Sequence, residues 1–201
     1  MRELILRMSI SLDGFVAGPD GEIDWIFRHR GADSTAWIVD TLRQAGVHAM
    51  GSRTYRDMAA FWPTSDTPFA PAMNDISKIV FSRSGLPDRR AVETTAPPGA
   101  TPTAAVLRSW AEPAVASGDL LEEVARLKAQ PGGFVVAHGG ARFAQSLAAA
   151  GLVDEYRLTV IPVALGRGLP LFSGLSHPVD LRLVAAVPFA AGTLGIVYRP
   201  A

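Results

Sequence analysis

The sequence contains no cysteine. A disulfide scaffold, a thiol nucleophile and a cysteine zinc site are thereby excluded, and the absence accords with a reducing cytoplasm. Runs of like charge are also missing: 19 Lys and Arg balance 19 Asp and Glu, for a formal net charge of zero. Nothing electrostatic therefore favours nucleic acid or an anionic membrane as a partner. No apolar stretch approaches the roughly 18–20 residues a membrane helix needs. The opening Met1-Arg2-Glu3-Leu4-Ile5-Leu6-Arg7 is too short and too interrupted by charge for a signal peptide. The expectation is a soluble, cytoplasmic protein. Several catalytic signatures are lacking as well: His-Glu-X-X-His, Gly-X-Ser-X-Gly, the P-loop and the six-residue Gly-X-Gly-X-X-Gly fingerprint. His29, His48 and His177 have no metal-ligand spacing with carboxylates, so no metal site is indicated.

What is present suits one generous domain. The chain has 201 residues, 48% hydrophobic and 19% charged, an ordinary globular composition. Leu4–Ile10 reads as a strand closed by the turn signals Asp13-Gly14 and Gly18-Pro19-Asp20-Gly21. A helix starts near Asp33 or Ser34, with Trp37, Ile38, Thr41, Leu42 and Ala45 on its apolar face. Gly46 stands where a left-handed helix C-cap belongs. Strand Val47–Met50, a brief helix ending before Pro63, and strand Lys78–Ser82 follow. Strand–helix alternation of this kind argues for crossover connections and a mainly parallel sheet. Residues from about 86 to 108, rich in Pro, Ala and Thr without sustained period, read as a surface insertion. Asp119 caps a helix whose face is Leu120, Leu121, Val124 and Leu127, with Glu122 completing a capping-box pattern. The last third reads as strand Phe134–Ala137, helix Ala141–Ala149 and strand Tyr156–Val163. An antiparallel pair, Leu181–Val187 with Leu194–Tyr198, turns near Gly192.

Three strand exits carry groups suited to anions. After Val136-Ala137-His138, the pair Gly139-Gly140 permits a tight turn and close backbone approach, and the helix opening at Ala141-Arg142 offers unpaired N–H groups. A plain strand–helix turn is the equal alternative. Gly51-Ser52-Arg53-Thr54 repeats the arrangement, with an arginine and hydroxyls at a helix start, or else forms a capped helix with a solvent-facing Arg53. Ser82-Arg83 leaves its strand with the same chemistry, either for a second phosphate or as a polar strand end. Together the three favour an extended dinucleotide. His138 fits a structural role or a catalytic one. Asp13 fits a turn or a pocket acid, and Asp33 a helix cap or a substrate-facing acid.

At these residues the sequence resembles the dihydrofolate reductase-like superfamily, and within it the C-terminal reductase domain of bacterial riboflavin biosynthesis. The resemblance runs in order through Met8–Gly18, Gly51–Tyr55, Val80–Arg83, Val136–Ala141, Leu152–Tyr156 and Gly166–Phe172. It implies an α/β, three-layer fold with a central, mixed and mainly parallel sheet flanked by helices and a C-terminal antiparallel hairpin. It also implies a homodimer and NADPH. Ala17 and Gly18 would lie near the nicotinamide. Gly51, Ser52, Arg53 and Thr54 would hold the diphosphate, and Ser82 and Arg83 the 2′-phosphate. Gly139, Gly140, Ala141 and Arg142 would form the diphosphate cradle. Folate reductases place a pterin-binding acid on their first helix, near the position of Asp33. The activity implied is hydride transfer to a small pterin-like or ribosylaminopyrimidine-like substrate. The alternative is a non-catalytic nucleotide-binding or dimerisation module of the same fold.

Overall fold

The computed structural model describes residues 1–86 and 101–201. Eight strands form one mixed, mostly parallel sheet in the order β5-β4-β3-β6-β1-β7-β10-β9, and β2 and β8 make a separate two-stranded pair. The strands are β1 (Leu4–Ser11), β2 (Phe15–Ala17), β3 (Val47–Gly51), β4 (Lys78–Phe81), β5 (Ala114–Ala116), β6 (Val135–Ala137), β7 (Glu155–Ile161), β8 (Leu169–Pro170), β9 (Leu181–Pro188) and β10 (Leu194–Pro200). The helices are α1 (Ala32–Arg43), α2 (Ser52–Phe61), α3 (Ala70–Asp75), α4 (Ala104–Ala111), α5 (Leu120–Ala129) and α6 (Ala141–Ala149). This is the expected mixed, mainly parallel α/β architecture with its C-terminal antiparallel hairpin. Backbone contacts divide the chain into two compact units. One holds Met1–Arg2 and Val39–Val136; the other holds Glu3–Ile38 and Ala137–Ala201.

In the first unit β3 and β4 run parallel, with Gly51 beside Phe81, and β4 pairs in parallel with β5. Val47, Ala49 and Met50 are all buried, so both faces of β3 are covered, as parallel strands require. A polar network ties α3 and α4 to β4. Buried Lys78 donates to the carbonyl of Asn74 at 2.7 Å and to Ser109, and lies 4.6 Å from the Trp110 ring centre. Trp110 Nε1 donates to Asn74 Oδ1 at 2.7 Å, so the short α3 is held by its side chains rather than by its length. His48 on β3 is wholly buried and donates from its ring to the Ala72 carbonyl at 3.0 Å.

Two expectations for this unit are corrected. Gly46 is not left-handed. Its role is close approach: a Cβ there would sit 2.7 Å from the Gly133 carbonyl oxygen, and one on Gly133 would sit 2.8 Å from the Gln44 carbonyl. Of the stretch read as an irregular insertion, positions 104–108 are helical. Thr103 caps α4 by accepting from the Val106 N–H at 3.2 Å, and Trp110 anchors the helix in the core. Residues 87–100 lie outside the described residues. The Asp119 cap forms as read, accepting from the N–H groups of Leu121 and Glu122; the carboxylate reaching back is that of Glu123, which accepts from Gly118 N–H.

In the second unit β1 and β7 pair in parallel, and β7, β10 and β9 continue as an antiparallel set. Leu4, Ile5 and Leu6 are fully buried, as are Tyr156 and Leu158 on β7. The pleat sets residues two apart on one face. Met8 and Ile10 therefore lie on one side of β1, and Arg7 and Ser9 on the other. The register places Arg7 beside Arg157 and Ser9 beside Thr159. Trp37 of α1 meets Phe189 at 5.9 Å on this side, above Gly195, where a Cβ would press on both rings at 3.0 and 3.2 Å. β9 ends the sheet and is largely exposed.

Candidate functional site

The expected cofactor residues sit at strand ends in each unit. In the first unit, the register that sets Gly51 beside Phe81 brings two exits to one edge of the β3–β4 pair. From Gly51 the chain enters α2 directly at Ser52, and Gly51 is its N-cap, with no side chain satisfying the first N–H groups. From Phe81 it turns through Ser82 and Arg83, where Ser82 Oγ donates to the Gly85 carbonyl at 2.6 Å. Arg53 and Arg83 are exposed.

In the second unit the Gly139-Gly140 turn has the same character. Gly140 has φ +81°, a backbone conformation that favours glycine, and is the N-cap of α6, again without a capping side chain. A Cβ on Gly139 would meet the Met8 methyl at 2.7 Å. Helices α4 and α5 begin differently, at Thr103 and Asp119, which accept from their N–H groups. The helix starts that follow Gly51 and Gly140 thus leave backbone donors open to an outside acceptor. Ala17 ends β2, and Gly18 is buried behind it, donating to the Glu22 carbonyl at 2.9 Å. Gly168 lets β8 close on β2, since a Cβ would lie 2.4 Å from the Ala17 carbonyl oxygen.

Both candidate acids are spoken for. Asp33 is exposed in the first turn of α1, where its Oδ1 accepts from the Ser34 N–H at 2.8 Å and its Oδ2 from the Ala190 N–H at 2.7 Å. The Ala190 bond, then the Ser34 bond, holds its carboxyl below the usual range. Its geometry is that of a tether for the β9–β10 turn. Asp13 accepts from Ser11 Oγ at 2.6 Å, Leu165 N–H at 3.1 Å and Gly166 N–H at 2.7 Å. The Ser11 hydroxyl, followed by the Gly166 amide, lowers its pKa to about 2. His138 is buried at the end of β6.

A recess not foreseen from the sequence lies in the second unit. Ser9, Thr159, Thr193, Ser34, His29 and Arg30 contribute its polar lining, beside Ile26, Ile38 and Ile161. It is small, with room for about one water molecule, and is partly open to solvent. Behind Ser9 on the same face of β1 stands Arg7. Burial, with the like charge of Arg30 second, lowers its guanidinium pKa to about 10. Its Nε and Nη2, and the hydroxyls of Thr159 and Thr193, are buried with no hydrogen-bond partner among the described residues. The one sequence signal was an arginine interrupting an otherwise apolar strand.

The model of the family described as the RibD C-terminal domain matches residues 2–194. The chain belongs to the RibD C-terminal domain family. Within that family's likenesses, Uncharacterized protein YyaP of Bacillus subtilis strain 168 is 29% identical over 204 residues, covering 98% of this chain and 95% of the relative. Among solved structures, a diaminohydroxyphosphoribosylaminopyrimidine deaminase/5-amino-6-(5-phosphoribosylamino)uracil reductase from Thermotoga maritima superposes with TM-score 0.70 at 16% identity. It covers all of this chain, while the RibD C-terminal domain described here spans 57% of that one. A pyrimidine reductase-like protein from Corynebacterium diphtheriae gives TM-score 0.64 at 16% identity, covering 100% and 92% of the two chains. At such identities these structures speak for the fold, which they share with this RibD C-terminal domain.

Proposed function

We propose that the chain is an NADPH-dependent reductase of a small substrate of the ribosylaminopyrimidine type. The observation that carries this reading is the pair of helix starts, α2 after Gly51 and α6 after Gly140, that lack any capping side chain. Both follow strand ends, where an α/β sheet binds ligands. In the first unit, the open N–H groups of Ser52, Arg53 and Thr54 would hold the diphosphate, and Ser82 with Arg83 the adenosine 2′-phosphate. In the second, Gly139, Gly140, Ala141 and Arg142 would receive phosphate oxygens, with Ala17 and Gly18 beside the nicotinamide. The nicotinamide supplies the hydride when bound; the chain orients the partners and excludes water. A pterin substrate is disfavoured, because both oxygens of Asp33 already accept backbone N–H bonds.

The test is a titration followed by tryptophan fluorescence, the chain having four tryptophans. NADPH should bind saturably, and Arg83→Ala should weaken NADPH about tenfold while leaving NADH unchanged, as expected for one charge-assisted phosphate contact. Absence of saturable binding at millimolar NADPH sinks the cofactor assignment. Tight cofactor binding without turnover of any ribosylaminopyrimidine, flavin or pterin would favour the binding-module alternative.

A further inference from the structure

The polar network around Asn74 in the first unit does more than hold α3, because it also grips α2 near both of its ends. Tyr55, in the first turn of α2, is buried and donates its hydroxyl to the Trp110 carbonyl in α4. The Tyr55 and Trp110 rings stack at 6.2 Å, inclined by 29°. At the other end, Asn74 Nδ2 donates to the carbonyl of Trp62, the C-cap of α2, at 3.1 Å. The two grips meet, since Trp110 Nε1 donates to Asn74 Oδ1 at 2.7 Å. The Asn74 carbonyl in turn accepts from Ser109 Oγ at 2.8 Å and from Lys78 Nζ at 2.7 Å. Lys78 opens β4, so the network runs from α2 through α3 and α4 to the strand beside β3.

The consequence falls at the far end of β4. There Phe81 pairs with Gly51, which sets the Ser82–Arg83 exit beside the start of α2. Thr103 and Asp119 fix the starts of α4 and α5 with their side chains, but α2 starts at Gly51 with no capping side chain. Its direction is therefore set from its body, by Tyr55 in the first turn and by the hold on Trp62. Both side-chain polar atoms of Asn74 are engaged, and a buried donor or acceptor left unpaired is costly, so the network keeps one arrangement. Two contacts to one ligand reinforce each other only when their spacing matches the ligand.

We propose that Tyr55 and Asn74 are positioning residues for a dinucleotide bearing a 2′-phosphate: they hold the start of α2 at one spacing from Ser82 and Arg83, so that diphosphate and 2′-phosphate are engaged together. This role rests on the NADPH reading of the two exits. A loosened α2 can still follow a diphosphate alone, so NADH loses little, whereas NADPH loses the advantage of its second phosphate. The experiment titrates NADPH and NADH calorimetrically into the full chain, at a temperature where circular dichroism shows each variant folded. Tyr55→Phe keeps the ring and removes only the hydroxyl. It should lower the preference for NADPH over NADH about threefold, chiefly by weakening NADPH. In that background Arg83→Ala should cost NADPH only about threefold, against about tenfold in the parent, because the two contacts no longer act together. Ser109→Ala, which removes a donor to the Asn74 carbonyl, should shift the preference the same way, and it carries the test if Tyr55→Phe does not fold. Gly46→Ala, which strains the same unit away from α2, should leave the preference unchanged. The positioning role fails if the parent prefers NADPH and the variants keep its preference, if they weaken both cofactors equally, or if Gly46→Ala shifts the preference as much. A parent that binds both cofactors alike lacks the 2′-phosphate contact, which also removes this role. A parent that binds neither removes the cofactor reading itself, and the role with it.

Discussion

Asp13 and His48 show how one side chain ties a loop or a strand to pH. Asp13 holds the loop after β7 through the N–H groups of Leu165 and Gly166, and its pKa falls from 3.8 to about 2, chiefly through Ser11 and then Gly166. A carboxyl depressed in the folded state stabilises it fully above the unfolded pKa, and that contribution disappears as pH falls from about 4 to about 2. Asp13→Asn should therefore unfold earlier than the parent at pH 7, and the two midpoints should converge near pH 2. Equal urea midpoints at pH 7 would show the clamp contributes nothing. His48 works in the other direction. Burial, opposed by its bond to Ala72 and reinforced by the charge of Lys78, lowers its pKa from 6.5 to about 4. Between those values the unfolded chain binds the extra proton, so stability is lost as pH falls from about 6.5 towards about 4, by up to about 3 kcal/mol. His48→Gln keeps a donor for the Ala72 carbonyl and cannot titrate. Its denaturation midpoint should be flatter across that window; a slope matching the parent's would assign the pH dependence elsewhere.

Elements were legible in the sequence where their hydrophobic period ran long enough to declare itself. β1, β3, β4, β7 and the β9–β10 hairpin lie where apolar runs and turn residues put them, and α6 occupies the predicted Ala141–Ala149. The six-residue α3 was not legible, because a single turn and a half with Pro71 in it has no face to repeat; it is held instead by Asn74 and its bonds to Trp110 and Trp62. β5, β2 and β8 are two or three residues long and escape for the same reason. Positions 104–108 lacked period across the wider Ala- and Pro-rich stretch, yet Thr103 and Trp110 fix a helix there. The open helix starts at Gly51 and Gly140 could be read locally, but Ser9, Arg30, Thr159 and Thr193 converge from four separate segments, and spacing carries no record of that. Gly46 was noticed for the wrong property. Since a Cβ there meets the backbone of Gly133 rather than a side chain that could move, Gly46→Ala should cost about 2 kcal/mol by overpacking. Gly133→Ala should cost about as much, and Gly14→Ala, which meets nothing within 4 Å but sits at φ +89°, provides the contrast of pure backbone strain. Calorimetric midpoints for Gly46→Ala and Gly133→Ala no lower than the parent's would show that this close approach is not tight.

For the whole molecule the sheet order leaves β9 as an edge, and an unpaired edge strand is a surface on which chains associate. Its hairpin is unusually apolar outside. Leu183 is 52% exposed and Leu194 42%. The register places Leu183 beside Tyr198 and Leu194 beside Pro188 and Val160, on the sheet face that carries Tyr156, whose ring lies 5.5 Å from that of the half-exposed Phe172. Apolar side chains grouped on one face mark an interaction site more often than scattered ones do. With a formal net charge of zero, two copies feel little mutual repulsion at neutral pH. A homodimer of the kind the family resemblance implies would be expected to bury this face of the β9–β10 hairpin, and that expectation is open to test. The double variant Leu183→Asp with Leu194→Asp should elute with the mass of one 21.3 kDa chain where the parent elutes with twice that mass, as measured by light scattering behind a sizing column. The aspartates point outward from residues that contribute little to the core, so the thermal midpoint of the variant should no longer depend on protein concentration while the parent's does. A double variant that remains dimeric would move the interface to another surface, and a parent that is monomeric at tens of micromolar would remove the dimer altogether.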